Sequence, residues 1–479
     1  MKKFISLLLV MMLALSFAAC GGNTESPTAS PNAEQQTEDA TPTDNQQTVD
    51  EIPTVEPTGT PEGSSEELGA FNKNAVLEET VMYDENDVKI TATGLSYTSY
   101  YVELELTIEN NSDKDLSFTS GSLGYCCNSI NGYMVSNGYL YCDVPAGKKA
   151  KDSISFSYDD LMLYGINEIA DMEIGFEITD DDYNETYTDP CQITTSAFDS
   201  HDYTTNHYQA TITSPAAMNT YGYEIKLFSE DTLYDDNGIK HLSSVVMVDS
   251  DGDTMLLLEF ENTSDSILNV TTSNIAINNL LITNSTWSSD TIIPNKHGII
   301  FIDLTSVLEE EYWEIYGIEE VGTVSLSLGQ RDIESNRITD DVPVEIVVPD
   351  AKAEFDPSGK EIYNNGGLRI IAKTVLEDPS EYSSAMYILL LAENNSGKTL
   401  AIDDKYDSLS INGFMIDYIF DNTEIDDGES AVIDIWLFES SLEDNDITSV
   451  SDIEEIEIGL EIEYGRNTFD EPTLNIVFE

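Results

Sequence analysis

Three aspartates alternate with small residues in Asp249-Ser-Asp-Gly-Asp253, which lies between two apolar runs. Carboxylates at alternating positions can converge on one hard cation such as Ca²⁺. An EF-hand loop would also need Gly at its sixth position and Glu at its twelfth, where this chain has Thr254 and Phe260. The same residues also fit an ordinary polar hairpin turn, which is the favoured interpretation. Two interpretations therefore stand: a turn without a ligand, or a weak calcium site formed by Asp249, Asp251 and Asp253. We expect no other cofactor.

Four cysteines follow Cys20 in the first half of the chain: Cys126, Cys127, Cys142 and Cys191. Cys126 or Cys127 could face Cys142 across a hairpin turned at Asn131-Gly132, and an exported protein permits disulfides. The sequence is equally compatible with one or two disulfides and with four reduced thiols. The spacing matches no zinc motif, so a zinc site is disfavoured.

The histidines and a search for known catalytic motifs give little indication of an enzymatic reaction. His201 and His207 share a segment with Asp199 and Asp202, so a surface metal contact is one interpretation. No G-x-S-x-G, H-E-x-x-H, phosphate loop or dinucleotide fingerprint is present. Among 91 acidic residues, no carboxylate pair for glycoside hydrolysis stands out. We therefore expect no enzymatic activity.

Aromatic residues are the remaining candidates for binding. Tyrosines on an exposed sheet face or loop tip can stack on sugar rings or anchor a protein partner. Tyrosine also favours strands for packing reasons alone. Trp436 is unusual because Ile433, Ile435 and Leu437 alternate as a core face, which turns Trp436 to the other face. The tyrosines concerned are Tyr97, Tyr100, Tyr101, Tyr125, Tyr133, Tyr139 and Tyr141.

The elements that position these residues repeat three times along the chain. Each copy contains an apolar alternating run that ends in Glu-Asn and a polar turn, which predicts a strand with one buried face. Other landmarks, such as an Ile-Asn-Gly or Ile-Asn-Asn turn, recur downstream in the same order, so three diverged copies of one module follow. The three runs are 102–112, 256–264 and 388–396.

Many short strands, frequent turn signals and little helical periodicity predict an all-β protein of three tandem Ig-like antiparallel β-sandwich domains. Short helical turns are expected only just after certain strands. The predicted domains are residues 71–198, 223–350 and 361–479, joined by linkers at 199–222 and 351–360.

The N-terminus has the composition of an exported and tethered protein. Residues 1–19 contain Lys2, Lys3 and a short apolar stretch, which predicts a signal peptide too short to span a membrane comfortably. Residues 20–70 are rich in Ser, Thr, Pro and acidic residues and contain no Lys or Arg. Such a segment cannot bury a core, and it predicts a disordered tether that spans on the order of 40 Å.

Two motifs resemble those of a known group of proteins. Ala18-Ala19-Cys20 resembles the lipobox of bacterial lipoproteins, although Phe17 stands where Leu is usual. The modules with Asn-Asn-Ser-Asp-Lys-Asp-Leu116 and its two counterparts look like the Ig-like domains of Gram-positive surface lipoproteins, many of them uncharacterised. The resemblance implies acylation of Cys20 and a lipid anchor at the extracellular face of the cell membrane. It supplies no catalytic residues.

The charge of the chain narrows the choice of partners. Lys and Arg number 20 against 91 acidic residues, giving a formal net charge of −71, which repels nucleic acid and anionic lipid. We expect membrane lipid to be contacted only through the acylated N-terminus. The expected function is non-catalytic binding or adhesion to a protein or glycan by a monomer. The alternatives are a structural spacer or envelope-complex subunit and, less favoured, a hydrolase with a cryptic site.

Overall fold

The computed structural model describes residues 70–121, 128–136, 138–282, 288–307, 310–378, 383 and 385–477. These residues form mainly antiparallel sheets with only short helices, which confirms the all-β prediction. No helix within these ranges is long and apolar enough to cross a membrane. The predicted signal peptide, tether and lipidated Cys20 lie outside the described residues.

The first module folds into two layers. One layer has the strand order β1-β2-β3-β8, and the other contains β11-β10-β4-β7 and β12-β9-β5-β6. The strands are β1 (Thr80–Glu85), β2 (Val88–Tyr97), β3 (Tyr101–Asn110), β4 (Leu116–Ser120), β5 (Asn128–Ile130), β6 (Tyr133–Val135), β7 (Leu140–Val144), β8 (Lys148–Ser157), β9 (Asp171–Ile174), β10 (Glu177–Asp180), β11 (Glu185–Tyr187) and β12 (Cys191–Thr194).

The second module repeats this arrangement, but its first sheet continues the last sheet of module one. The combined order is β12-β9-β5-β6-β20-β16-β15-β13, with β14 on β15. The strands are β13 (Glu224–Ser229), β14 (Asp235–Asp236), β15 (Ile239–Val248), β16 (Thr254–Asn262), β17 (Leu268–Ile277), β18 (Leu280–Leu281), β19 (Ser288–Ile292), β20 (His297–Asp303), β21 (Thr323–Arg331) and β22 (Val342–Val347).

The third module joins the second in the same way, in the order β22-β21-β17-β18-β31-β25-β24-β23, and its other sheet has the order β28-β27-β32-β26-β30. The strands are β23 (Lys360–Asn365), β24 (Leu368–Glu377), β25 (Met386–Asn394), β26 (Leu400–Asp404), β27 (Ser410–Ile411), β28 (Phe414–Met415), β29 (Tyr418–Phe420), β30 (Thr423–Ile425), β31 (Ser430–Leu437), β32 (Ile456–Tyr464), β33 (Asn467–Asp470) and β34 (Thr473–Ile476).

The helices are short and lie after strands or between modules. The helices are α1 (Tyr158–Leu163), α2 (His207–Ile212), α3 (Pro215–Tyr221), α4 (Leu304–Val307), α5 (Glu310–Ile315) and α6 (Glu439–Glu443), with 3₁₀ turns at Phe198–Ser200 and Val450–Asp452. The helical turns that the sequence predicts at 159–164, 305–308 and 439–442 overlap α1, α4 and α6.

A buried asparagine explains the repeated Glu-Asn signature. The Asn394 side chain is fully buried and donates to the carbonyl oxygens of Lys398, at 2.7 Å, and Ile425, at 2.8 Å. Its Oδ1 accepts the Ser396 N–H at 3.0 Å. Asn110 and Asn262 make the equivalent bonds in the other modules. Each asparagine thus satisfies buried backbone groups where the central strand meets its turn.

The prediction of one buried face holds for β3 but is wrong for the other two central strands. In β3 the apolar residues are buried while the intervening residues stay half-buried or exposed. In β16, Leu257 belongs to the core of module one, whereas Leu256 and Leu258 belong to the core of module two. In β25, Leu389 and Leu391 likewise enter the core of module two. The preceding module covers the second face of each strand, so alternation is lost.

The segment 199–222, predicted as a linker, contains two helices packed between modules one and two. Asn206 and Ser214 cap α2 and α3 by accepting the N–H of Gln209 and Ala217. Tyr208 and Met218 are among the apolar residues of the helices that join the core of module one. The segment therefore has the polar composition of a linker, although apolar residues at helical spacing within it are buried.

Candidate functional site

Four strands of module one present an outer face that carries tyrosines at both ends. The registers place Tyr187 opposite Glu177, Glu177 opposite Thr119, and Thr119 opposite Tyr141. Three strand spacings separate the two tyrosine backbones, which is about 14 Å. We call the outer face of β11-β10-β4-β7, together with Tyr139, the tyrosine face.

The tyrosine side chains on this face are accessible to solvent. The exposed fractions are 62% for Tyr139, 57% for Tyr141 and 38% for Tyr187. Leu140, between the first two, is buried, so alternation directs both tyrosines outward. The apolar rings can therefore stack on a ligand without any rearrangement of the core.

Acidic and hydroxyl side chains lie between the rings. The Tyr187 hydroxyl donates to Glu185 Oε2 at 2.7 Å, and Thr179 Oγ1 donates to Glu177 Oε1 at 3.2 Å. Ser117 Oγ donates to Asp143 Oδ1 at 2.6 Å. The face combines aromatic surface with several hydrogen-bond acceptors, which suits a polyhydroxylated ligand without negative charge.

The remaining tyrosine candidates lie elsewhere. Tyr100 and Tyr101 are exposed where β2 meets β3, in the other sheet of module one. Tyr97 is half-buried and donates to the Ala75 carbonyl oxygen at 2.7 Å, and burial raises its pKa to about 12. Tyr133 is buried, with its hydroxyl 3.1 Å from Asn206 Oδ1. Tyr125 lies outside the described residues.

Trp436 occupies the outward face of β31, as its alternation predicts. It pairs with Ile419 on β29 and Tyr387 on β25, and its ring centroid lies 5.0 Å from that of Phe438. Trp436 and Ile419 are exposed at the surface of module three. They form a small apolar patch, separate from the tyrosine face.

The Asp249–Asp253 loop forms a tight turn. Asp249 Oδ1 accepts the backbone N–H groups of Asp251, Gly252 and Asp253 at 2.7 to 3.0 Å. This carboxylate therefore closes the loop from within. Across the described ranges, no group of three or more His, Cys, Asp or Glu side chains is arranged to hold a metal ion. The geometry therefore favours the interpretation as a turn.

Two of the cysteines can be placed. Cys142 is a buried free thiol on β7, and burial raises its pKa to about 11. Cys191 is a half-buried free thiol at the start of β12, and burial raises its pKa as well. Cys126 and Cys127 lie outside the described residues, so their pairing with Cys142 stays a prediction.

His201 and His207 lie side by side, with ring centroids 5.0 Å apart. His207 Nε2 is 2.8 Å from the Asp202 carbonyl oxygen, and burial lowers the pKa of His201. The Asp202 carboxylate instead accepts hydrogen bonds from Thr204 and Thr205. The two rings thus form part of the packing of the segment before α2.

An open cleft of about 450 Å³ lies in module two, lined by Lys226, Trp313, Glu319, Glu320 and Asp350 among others. Lys352 donates to Glu319 and lowers its pKa, which keeps that carboxyl ionised. Lys226 forms an ion pair with Glu224 at 2.7 Å. Two of the charged side chains at the cleft, Lys226 and Glu319, are thus held in ion pairs, and this arrangement gives no support to hydrolysis there.

Sequence reasoning missed Tyr187. Tyr183-Asn-Glu-Thr-Tyr187 does contain an alternation that places Glu185 and Tyr187 on one face of a short strand. The pairing of that strand with β10, and of β10 with β4, could not be read from the sequence. Only this order brings Tyr187 into register with Tyr141.

No protein-family model and no curated protein matches this chain. Among solved structures, a bacterial ice-binding adhesin, solved for insight into its host cell surface retention, is 11% identical to this chain. The match covers 78% of this chain and 90% of the adhesin chain, with a TM-score of 0.13. A protein of unknown function from Porphyromonas gingivalis W83 is 10% identical, with 54% and 100% coverage and a TM-score of 0.14. These TM-scores are too low to support any conclusion about function.

Proposed function

We propose that this chain is an extracellular lipoprotein, anchored to the cell membrane through Cys20, that binds a neutral glycan through the tyrosine face of module one. The observation that carries the proposal is the register that puts exposed Tyr141 and Tyr187 at the two ends of one row, with Glu177 and Thr119 between them. Tyrosine rings stack on sugar rings, and the carboxylates accept bonds from sugar hydroxyls. The net charge of −71 disfavours anionic glycans.

Loss of one ring should weaken glycan binding selectively. We expect Tyr141→Ala to lower affinity about fivefold, since one stacking contact contributes on the order of 1 kcal/mol. Binding of the full chain in detergent to an array of neutral glycans measures this effect. Tyr406→Ala is the matched control, because Tyr406 is also highly exposed but lies in module three. Equal binding by both variants would refute the site, and a wild-type chain that binds no glycan on the array would refute glycan recognition.

The anchor is tested separately by fractionation. We expect Cys20→Ser to move the protein from the membrane fraction to the medium, because one acyl-bearing residue is the only anchor that the sequence predicts. If wild-type protein were released into the medium to the same extent as Cys20→Ser, lipid anchoring would be contradicted.

A spacer function is the second candidate, favoured by the way the modules are joined. Sheets run across both module boundaries, and Tyr316 of module two donates to the Leu390 carbonyl oxygen of module three at 2.8 Å. Such junctions resist bending and suit a rigid support. A chain that binds no glycan but is needed to position another envelope protein would fit this alternative.

A further inference from the structure

The two module junctions use the same strand pairing. In the first, β6 runs parallel to β20, with Tyr133 opposite His297, and the His297 N–H donates to the Gly132 carbonyl oxygen at 2.9 Å. In the second, β18 runs parallel to β31, with Leu280 opposite Ser430. In each case a short hairpin of one module extends the sheet of the next. We call β5-β6, β17-β18 and β27-β28 the donor hairpins.

A second repeated asparagine fixes each donor hairpin. Asn131, Asn278 and Asn412 all adopt positive φ in the turn. In module three, Asn412 Nδ2 donates to the Asp452 carbonyl oxygen at 2.7 Å, and its Oδ1 accepts the Glu454 N–H at 2.8 Å. Asn131 and Asn278 make the corresponding bonds. The third hairpin therefore has the same anchoring as the two that are engaged.

The donor side chains enter the next module. Tyr133 and Leu280 are buried at equivalent positions of the first and second hairpins. The following residue, Met134 in module one, belongs to the core of module two. Its counterpart Leu281 in module two belongs to the core of module three. Each junction thus combines edge pairing with insertion of an apolar side chain.

The third donor hairpin ends in solvent. Phe414 and Met415 occupy the positions of Tyr133 and Met134, yet they are 53% and 58% exposed. Among the strands that the structure describes, β28 pairs only with β27. An apolar strand edge of this kind is a ready template for another chain.

The matching receptor strand is open in module one. Registers on the central strands make Lys148 equivalent to Lys296 and Glu429, because each lies opposite the buried asparagine of its own module. Strand β8, which begins at Lys148, pairs only with β3 within the described ranges. It occupies the place that β20 and β31 occupy in the other modules.

An ion pair distinguishes the first junction from the second. Lys296 on the receptor side lies 2.5 Å from Glu173, which stands beside the first donor hairpin. At the second junction, both partners are replaced, by Glu429 and Ser325. The third donor hairpin and the open strand β8 have no neighbour within the described ranges, and both charges of the ion pair return there. Glu457 lies beside the hairpin, and Lys148 begins β8. Lysine is rare in this chain, so its return at this position favours a second copy as the occupant.

We propose that the chain self-associates head to tail, with β28 of one copy adding in parallel to β8 of a second copy. Phe414 then lies opposite Lys149, Met415 opposite Ala150, and Glu457 pairs with Lys148. Because donor and receptor are different surfaces, the contact is heterologous and continues along a row of copies. This replaces the monomer expected from the sequence.

The outer sheet face of module one makes this contact weaker than the internal junctions. Glu105 and Lys151 stand where module two has the buried Leu257 and Ile299. In module three, Asn445 follows α6 at the place where the buried Tyr316 follows α5. Little apolar surface is therefore buried beyond the hairpin itself. We expect reversible association that weakens as salt screens the ion pair.

Sedimentation velocity of the full chain in non-ionic detergent tests the proposal, because micelles prevent association through the acyl group. We expect the weight-average mass to rise with protein concentration at low salt, without a plateau at the dimer, and less at high salt. Lys148→Glu and Glu457→Lys should each abolish the rise, and the double variant should restore it. Glu461→Lys, the same charge change at an exposed position of the same strand, should leave association intact.

Three results would overturn the proposal. The first is a constant monomer mass up to near-millimolar protein at low salt. The second is a dimer plateau unaffected by Lys148→Glu, which would indicate symmetric pairing of two hairpins. The third is a double variant that stays monomeric while Glu461→Lys associates, because the two charges would then not meet. Circular dichroism of each variant confirms that these surface substitutions leave the fold intact.

Discussion

Replacing Asn394 with Ala should lower the free energy of unfolding by about 4 kcal/mol. The substitution removes both side-chain N–H donors and the Oδ1 acceptor. The Ile425 carbonyl oxygen and the Ser396 N–H then lose these bonds, and the Lys398 carbonyl oxygen keeps only the 3.3 Å bond from Ser396 Oγ. An unpaired buried polar group costs about 1–3 kcal/mol, and alanine also leaves a small cavity. Urea denaturation of the full chain, followed by circular dichroism, measures the loss.

The neighbouring asparagine is the matched control for this prediction. Asn395 lies in the same turn and is exposed. We expect Asn395→Ala to change stability by less than about 0.5 kcal/mol, as surface substitutions usually do. If both variants lost the same stability, the buried hydrogen bonds would not explain the repeated signature.

Replacing Glu259 with Ala should destabilise the junction between modules one and two by about 3–5 kcal/mol. The Glu259 side chain is fully buried and accepts hydrogen bonds from Asn206 at 2.6 Å and Gln209 at 2.8 Å. It also accepts from Ser243 at 2.8 Å and lies 2.9 Å from His297 Nδ1. Removal leaves the buried Ser243 hydroxyl and the half-buried Asn206, Gln209 and His297 side chains without this acceptor. Because Asn206 caps α2, we expect faster amide hydrogen exchange in that helix, measured by mass spectrometry.

The same residue gives the junction a dependence on pH. Burial raises the pKa of Glu259, but the hydrogen bonds from His297, Asn206 and Gln209 outweigh it and leave the pKa below the ordinary value of 4.5. The ionised carboxylate therefore stabilises the fold fully above pH 4.5, and this contribution is lost as pH falls through the folded pKa. Glu261→Ala, two residues along the strand and half-buried, should not alter this loss. An unchanged acid transition in Glu259→Ala would contradict this assignment.

The sequence reveals the succession of strands and turns along each module, because local signals specify it. Asn131-Gly132 predicts the hairpin of β5 and β6, and both residues do adopt positive φ there. Alternation in β3 predicts which residues face the core, and the burial pattern agrees. These features depend on neighbours within a few residues or within one hairpin.

What sequence reasoning missed depends on contacts between distant segments. Leu257 lies on the outward side of its strand, yet it is buried because module one covers that side. Glu259 has the residue type of a solvated position and is fully buried among side chains from α2 and β20. Of the tyrosine face, Tyr139 and Tyr141 could be named from alternation. Tyr187 could not, because strand order decides its neighbours.

Calorimetric titration of the full chain with neutral oligosaccharides of increasing length tests the central claim most directly. The row from Tyr141 to Tyr187 predicts that affinity rises with length until the ligand reaches both tyrosines, whose backbones lie about 14 Å apart. It also predicts that this gain disappears in Tyr187→Ala. A monosaccharide that binds as tightly as the longer ligands, or a chain that binds none of them, would contradict glycan recognition by the tyrosine face.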